Sequence, residues 1–348
     1  MRRPFAIAIV AALLLGVLTA CVPGSGSSAG SIGLLLPDKK TARYETFDRP
    51  VFEQRVAELG DYDVLYANAD QDAAKQQQQA ESMLTAGVDV LVLDPVDAKA
   101  AVTIVNAANA ESVPVIAYDR LIAGGELAYY VSFDNRRVGQ LQATALVDAL
   151  EERGTPDGGI LMVNGSPTDS NAAHFHEGAM SVIAHSGLRV LAQYETPDWS
   201  PDKAQAWVAG QISQFGDDIA GVYAANDGTA SGAVAALRAA NVSPFPIVTG
   251  QDAELTALQR IVSGDQYMTV YKALKPQATR AAEVAVDLLN GRTVTGELDV
   301  DGTPATLLDP VAVTVDDILD TVVADGFWSI SDICTPEYEA ACRAAGIL

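Results

Sequence analysis

The chain has 348 residues, 49% of them apolar and 19% charged, and its 45 acidic against 22 basic side chains leave a formal net charge of −23. A length of this order accommodates two domains of ordinary size. So acidic a surface argues against nucleic acid and anionic membrane as partners, and says little about a neutral ligand.

The first residues bear on the compartment. Arg2 and Arg3 precede an apolar stretch, residues 5–18, that is too short to span a bilayer comfortably. Leu18-Thr-Ala-Cys21 then resembles a bacterial lipobox, in which Cys21 carries lipid and becomes the mature N-terminus. An ordinary secretory signal with a chance cysteine is the plainer alternative. Loss of the leader removes Arg2 and Arg3 and takes the net charge to −25. Residues 22–30, mostly Gly and Ser, read as a flexible tether, and no second segment looks able to cross a membrane.

From Ser31 the pattern alternates. Strands are predicted at 32–36, 63–67, 88–93 and 113–118, with helices at 45–59, 70–86 and 97–110. Such alternation implies right-handed βαβ units and a doubly wound sheet. Gln76 to Gln79 falls in a helical pattern and reads as a solvated face. A second series follows: helix 140–152, strand 160–163, helix 171–185, then 189–194, 204–215, 219–224 and 229–239 in continued alternation. Residues 278–289 form an Ala-rich helix stopped by Asn290-Gly291, and 303–315 is extended with two prolines. Two series of similar size predict two α/β lobes with a cleft between them, a common place for small-molecule pockets.

Six short apolar runs each end at hydrogen-bonding side chains: VIAYDR (115–120), YVSFDN (130–135), ILMVNGSPTDSN (160–171), GVYAANDGT (221–229), IVTGQDA (247–253) and MTVYK (268–272). Runs with little alternation fit strands covered on both faces, and ligands bind beyond the carboxyl ends of such strands. Carboxylates accept from hydroxyls, Arg and Lys donate to them, and Asn does both, so these tips suit a neutral polyol. An aromatic ring supplies apolar area to the C–H face of a sugar. Duller roles compete at each position. Asp119, Asp134, Asn226 and Asp252 could cap the following helices, and Asp134 fits a cap or turn best. Asp119 and Arg120 could pair with one another, Lys272 could be a solvated tip, and Trp199 could be core, although its flanks look like a loop. Trp207 and Trp328 read as packing. His174 and His176 do not share a helix face, so no metal site is expected there, and no nucleophile elbow or phosphate loop is visible. No catalytic residue and no cofactor is expected.

Taken in order, Ala117-Tyr-Asp-Arg120, Ser132-Phe-Asp-Asn-Arg-Arg-Val-Gly139, Gly165-Ser-Pro-Thr-Asp-Ser-Asn171, Asn226-Asp-Gly-Thr-Ala230, Gly250-Gln-Asp252 and Thr269-Val-Tyr-Lys272 resemble the periplasmic D-xylose-binding proteins and their aldose-binding relatives in sugar ABC transport and chemosensing. The resemblance runs from Ile32 to about Phe327. It implies the type I periplasmic binding protein fold: two doubly wound parallel-sheet α/β lobes joined by a three-crossover hinge. By that likeness one lobe comprises residues 31–137 plus about 270–312, the other 138–269 plus about 313–330, with 331–348 as a tail and 1–30 as leader and tether. The hinge falls near 134–138 and 266–272.

The same resemblance implies site roles for Arg43, Tyr44, Asp119, Arg120, Asn171, Trp199, Asn226, Asp252 and Lys272. Arg43 would bond sugar hydroxyls, and Tyr44 and Trp199 would stack on opposite faces of the ring. Tyr44 stands where xylose binders carry Trp, and Ser170 stands where they carry a second Asn. Both departures leave glucose, arabinose, galactose and ribose open beside xylose. Cys334 and Cys342, spaced Cys-x7-Cys, could close a small disulfide loop in an oxidising compartment, with two free thiols as the alternative. The expected protein is a lipid-anchored extracytoplasmic monomer that binds a monosaccharide and hands it to an ABC permease, touching membrane only through its anchor. A receptor for a membrane signalling partner is the first rival, and a glycan hydrolase, which would need paired carboxylates, the second.

Overall fold

The computed structural model describes residues 28–348, so the leader, Cys21 and most of the tether lie outside the described residues. The first series forms β1 (Ser31–Leu36), α1 (Arg49–Leu59), β2 (Asp63–Asn68), α2 (Ala73–Ala86), β3 (Val90–Leu93), α3 (Val102–Ala110), β4 (Val115–Tyr118) and β5 (Tyr129–Phe133). The second forms α4 (Asn135–Glu152), β6 (Gly159–Asn164), α5 (Ser170–Ile183), β7 (Arg189–Glu195), α6 (Pro201–Phe215), β8 (Ile219–Ala224), α7 (Asp227–Ala239), β9 (Ile247–Val248) and α8 (Leu255–Ser263). The remainder is β10 (Thr269–Tyr271), α9 (Leu274–Leu289), β11 (Leu298–Val300), β12 (Thr303–Leu308), β13 (Val311–Val313), α10 (Ile330–Ile333) and α11 (Glu339–Ala344).

A seven-stranded sheet has the order β11-β12-β5-β4-β3-β1-β2, parallel except for β11. A four-stranded parallel sheet has the order β7-β6-β8-β9. Both reverse direction beside their first strand, the doubly wound arrangement in which ligands sit at the strand ends near the switch. The chain passes between the sheets three times: from β5 into α4, from β10 into α9, and from β12 into β13. The second and third passages pair with each other as an antiparallel ribbon, Thr269 opposite Val313. This is the type I periplasmic binding protein fold.

Each sheet is covered on both faces, which explains the unbroken apolar runs. The β3 and β4 side chains are wholly buried. Ala278, Ala281, Ala282 and Ala285 of α9 pack with Phe52 and Val56 of α1 over the large sheet. Their small side chains let the helix approach closely. In the small lobe Gly139 and Gly178 do the same for α4 and α5. A Cβ on Gly139 would collide with the Phe175 carbonyl, and one on Gly178 with the Arg136 carbonyl. The C-terminal segment, from β13 onward, folds back behind the hinge. Phe327 stacks on Phe47 at 4.0 Å, and Trp328 meets Phe47 edge-on while its indole donates to the Ala253 carbonyl. Cys334 and Cys342 are joined there, with Cα atoms 5.9 Å apart.

Some local expectations shift for identifiable reasons. The helix predicted from residue 45 begins at Arg49, because Tyr44–Asp48 forms one wide π-type turn and Pro50 suits a helix start. The helix predicted from Asp97 begins at Val102, since the Asp97 carboxylate accepts from the N–H groups of Lys99 and Ala100 and closes a turn. α4 starts earlier than expected, at Asn135, capped by Asp134, which accepts from Arg137 N–H at 3.0 Å. Gln76 corrects the reading of 76–79 as a solvated face. It is buried, and its amide donates to the Asp94 carbonyl (2.8 Å) and accepts from Val96 N–H (2.9 Å). Four elements had no counterpart in the sequence pattern: α8, the edge strand β11, and the short helices α10 and α11 of the C-terminal tail.

Candidate ligand-binding site

The strand ends of both sheets converge on one narrow cavity between the lobes. All nine residues singled out in the sequence line it. The large lobe brings Arg43 and Tyr44 after β1, and Asp119 and Arg120 after β4. The small lobe brings Asn171 at the start of α5, Trp199 after β7, Asn226 after β8 and Asp252 after β9. Lys272 comes from the hinge ribbon. Thr41, Asp169, Phe175 and Gln251 complete the wall. Each of these four lies within four residues of a predicted site residue. Phe175 follows Asn171 by four positions and so shares its helix face, a signal that could have found it.

Three site residues have left-handed backbone: Asp119 (φ 60°), Trp199 (φ 53°) and Asp252 (φ 101°). Such conformations cost about 1–3 kcal/mol each and persist where the surroundings over-determine them. At Asp119 those surroundings are visible. Its carbonyl accepts from the Ser132 hydroxyl (2.6 Å) and from the Asn171 amide (3.2 Å). Its Oδ1 accepts from Arg43 Nη1 (2.9 Å) and Gln277 Nε2 (3.3 Å), and its Oδ2 from Asn171 Nδ2 (3.3 Å). Burial alone would raise the Asp119 pKa. Arg43 first, then Lys272 and Arg120, overturn that and hold it well below the usual carboxylate range.

Arg43 is more occupied than a pure ligand arginine. Nε and Nη2 clamp both oxygens of Asp48 at 2.8 Å, and Nη2 also donates to Gln277. With Nη1 on Asp119, one of its five N–H groups is left for a ligand. Arg120 does not pair with its neighbour Asp119. Nη1 donates to the Pro95 carbonyl (2.9 Å), Nη2 to the Tyr44 hydroxyl (3.1 Å), and Nε lies 2.8 Å from Asp169 Oδ2. Two N–H groups of the fork therefore remain for adjacent hydroxyls. The Tyr44 hydroxyl accepts from a guanidinium here, which an indole in its place could not do.

On the small-lobe side Trp199 is buried, meets Phe175 edge-on at 6.3 Å and donates Nε1–H to Asp169 Oδ2 (3.0 Å). Its ring lies where a Gly165 side chain would stand. Asn226 takes the capping role and keeps its amide free. Oδ1 caps α7 by accepting from Thr229 N–H (2.8 Å), while Nδ2 donates to no protein group among the described residues. Lys272 is buried, not a solvated tip, with Nζ 2.8 Å from Asp252 Oδ1 and 5.9 Å from the Phe175 ring centre. Trp207 stacks on Tyr194, away from the cavity.

An enclosed, charge-ringed cavity between two hinged doubly wound lobes, walled by aromatic rings, defines a two-lobed receptor for a small polar ligand. The chain belongs to the periplasmic binding protein family, whose domain model matches residues 32–293. It is 36% identical to the D-xylose-binding periplasmic protein of Haemophilus influenzae, over 90% of this chain and 95% of that one. It is 31% identical to the multiple sugar-binding periplasmic receptor ChvE of Rhizobium radiobacter, over 94% and 99%. Among solved structures it resembles an ABC transporter solute binding protein from Clostridium phytofermentans with bound β-D-glucose, with a TM-score of 0.80, 26% identity, and coverage of 87% of this chain and 99% of that one. These relatives are binding proteins, not enzymes.

Proposed function

We propose that this protein is an extracytoplasmic sugar receptor that closes its lobes on one monosaccharide, xylose or a related aldose, and delivers it to an ABC permease. The observation that carries this reading is the convergence of nine sequence-selected residues, from seven separate strand ends, on one enclosed cavity. Arg120, Asp119, Asn226, Asp252 and Lys272 match the alternating donors and acceptors of a sugar rim. Tyr44 and Trp199 offer rings to its faces. A buried polar group left without its hydroxyl costs about 1–3 kcal/mol, which is how such a site rejects an epimer. The names of the relatives support the class of ligand, and Tyr44, engaged with Arg120, marks the edge where this pocket differs from a tryptophan-bearing one.

A hydrolase fits poorly. Asp119, held ionised by three cations, cannot serve as a general acid. A cavity closed by both lobes also leaves no exit for a glycan chain.

The test is thermal melting of the Cys21→Ser chain against a panel of aldoses and polyols. A sugar at a hundred times its Kd adds about 2.7 kcal/mol to stability and is expected to raise Tm by roughly 4 °C. No shift with any sugar would remove the reading. We also propose that Cys21 carries the lipid anchor. The Cys21→Ser protein is then expected in the soluble fraction of cells in which the unaltered chain sediments with membranes. Equal partition of the two would exclude an anchor.

A further inference from the structure

We propose that Asp169 is a positioning residue for the ligand site: arriving from the small lobe on closure, its carboxylate completes the fixing of Arg120 in the large lobe, taking that arginine from the competing carboxylate of Asp94. The proposal rests on the receptor reading above.

Asp169 ends the loop after β6 and is buried. Its Oδ1 caps α5 by accepting from Asn171 N–H (2.8 Å). Its Oδ2 faces groups from both lobes: it accepts from Trp199 Nε1 at 3.0 Å within the small lobe, and it forms an ion pair with Arg120 across the cleft, 2.8 Å from Nε but without hydrogen-bond geometry. The other two nitrogens of Arg120 find partners within the large lobe, Pro95 and Tyr44. Only Nε waits for a partner from the other side. The neighbouring residue docks the same loop onto the large lobe, with the Thr168 hydroxyl donating to the Val96 carbonyl (3.1 Å) and the Thr168 carbonyl accepting from Ala98 N–H (3.0 Å).

Asp94 supplies the second state. It sits at the end of β3, wholly buried, and neither carboxylate oxygen has a hydrogen-bond partner. Arg120 Nε is 3.4 Å from Asp94 Oδ1, near enough for attraction and too far for a good hydrogen bond. When the lobes part, Asp169 leaves and Asp94 is the carboxylate remaining beside Nε. Closure reverses the exchange and strands Asp94. An element with two discrete partners, one per lobe state, is what allows a ligand to shift a population instead of meeting a rigid pocket. Without sugar the stranded Asp94 disfavours closure. With sugar held between the Arg120 fork and the small lobe, the exchange becomes favourable.

The experiment measures sugar binding to Cys21→Ser protein that also carries Asp169→Asn or Asp94→Asn, using a sugar that raises the melting point of the parent. An amide at 169 can still cap α5, so the fold is expected to hold, but it carries no charge to pair with Arg120 and no second oxygen to accept from Trp199. Asp169→Asn is expected to weaken binding at least tenfold through a faster koff, with kon within about threefold, the pattern for a buried charge pair formed after encounter. Asp94→Asn removes the competitor and is expected to tighten binding. A purely structural role for both residues would weaken binding in both variants. The Trp199 indole N–H resonance, one of three indole signals, is expected to move on sugar addition in the parent and to lose that movement in Asp169→Asn. Binding by Asp169→Asn within twofold of the parent, or weaker binding by Asp94→Asn, would overturn the proposal. Failure of the parent to bind any sugar would instead overturn the receptor reading.

Discussion

Replacing Asp119 by alanine is expected to abolish sugar binding and to destabilise the protein by roughly 3 kcal/mol, near the lower end of the range for breaking one side of a buried ion pair. The low end applies because Arg43 keeps Asp48, and Lys272 keeps Asp252, as counter-charges. The binding effect is larger because Asp119 joins three things at once. It accepts from Arg43 in its own lobe and from Asn171 in the opposite lobe, and it lines the cavity as an ionised acceptor. Oδ2 keeps one lone-pair site for the sugar, and a hydrogen bond to a charged group contributes about 1.5–3 kcal/mol; losing that bond together with the fixing of Arg43 and Asn171 weakens binding by at least a hundredfold. Asp119→Asn separates the two effects. It retains the shape and most of the stability but replaces an acceptor-only group with one that also donates. Calorimetric titration of both variants beside their denaturant unfolding checks the pair. Tight binding by either would move the ligand away from Asp119.

Stability is expected to fall as pH rises from 5 to 8. Burial pushes the Asp227 carboxyl up to about 7, with Asp252 adding to the effect and Arg260 opposing it. Burial, then Asp227 and Asp252, push Glu254 up to about 8. A carboxyl whose folded pKa lies above its unfolded value binds a proton more tightly in the native state. Its contribution is therefore fully present below about pH 4 and is lost as pH climbs to the folded value. Asp119 has the opposite sign, but its contribution is lost only below the ordinary carboxylate range and leaves the 5–8 window untouched. Glu254 retains some exposure by surface area, so its share is discounted, and the sum is on the order of 2–4 kcal/mol. Melting at pH 5, 6.5 and 8 at constant ionic strength is expected to show Tm falling by several degrees. Glu254→Gln, which carries no charge at any of these values, is expected to flatten the curve. A Tm that rises or stays level across the window would contradict the buried-acid assignment.

Much of the architecture was legible in the sequence because its causes are local or periodic. Strands such as Val115–Tyr118 lie between helices on both faces, and so they read as unbroken apolar runs. Their polar tips had to fall at the carboxyl ends of the strands, and that placed Asp119, Asn226, Asp252 and Lys272 at the cleft before any coordinates. Capping chemistry is equally local, and Asp134 serves as the cap its position implied. The wide turn at Tyr44–Asp48 was not legible, since a π-type turn and an α-turn carry the same apolar spacing. Nor was the burial of Gln76, whose amide is satisfied by backbone groups of residues 94 and 96.

What the sequence determined by itself was most of the series of elements, the two lobes and the identity of the side chains at the strand ends, all set by burial pattern and turn chemistry within a few residues. Only the tertiary structure decided which charge answers which. Arg120 adjoins Asp119 in the chain yet turns to Asp169, 49 positions away and in the other lobe, while Asp119 is held by Arg43 and Asn171. The physical reason is that strand-end side chains leave in directions set by a strained backbone at Asp119 and by the closing of two sheets. Electrostatic partners in a buried site are chosen by distance across that closed space, which the order of residues along the chain does not encode.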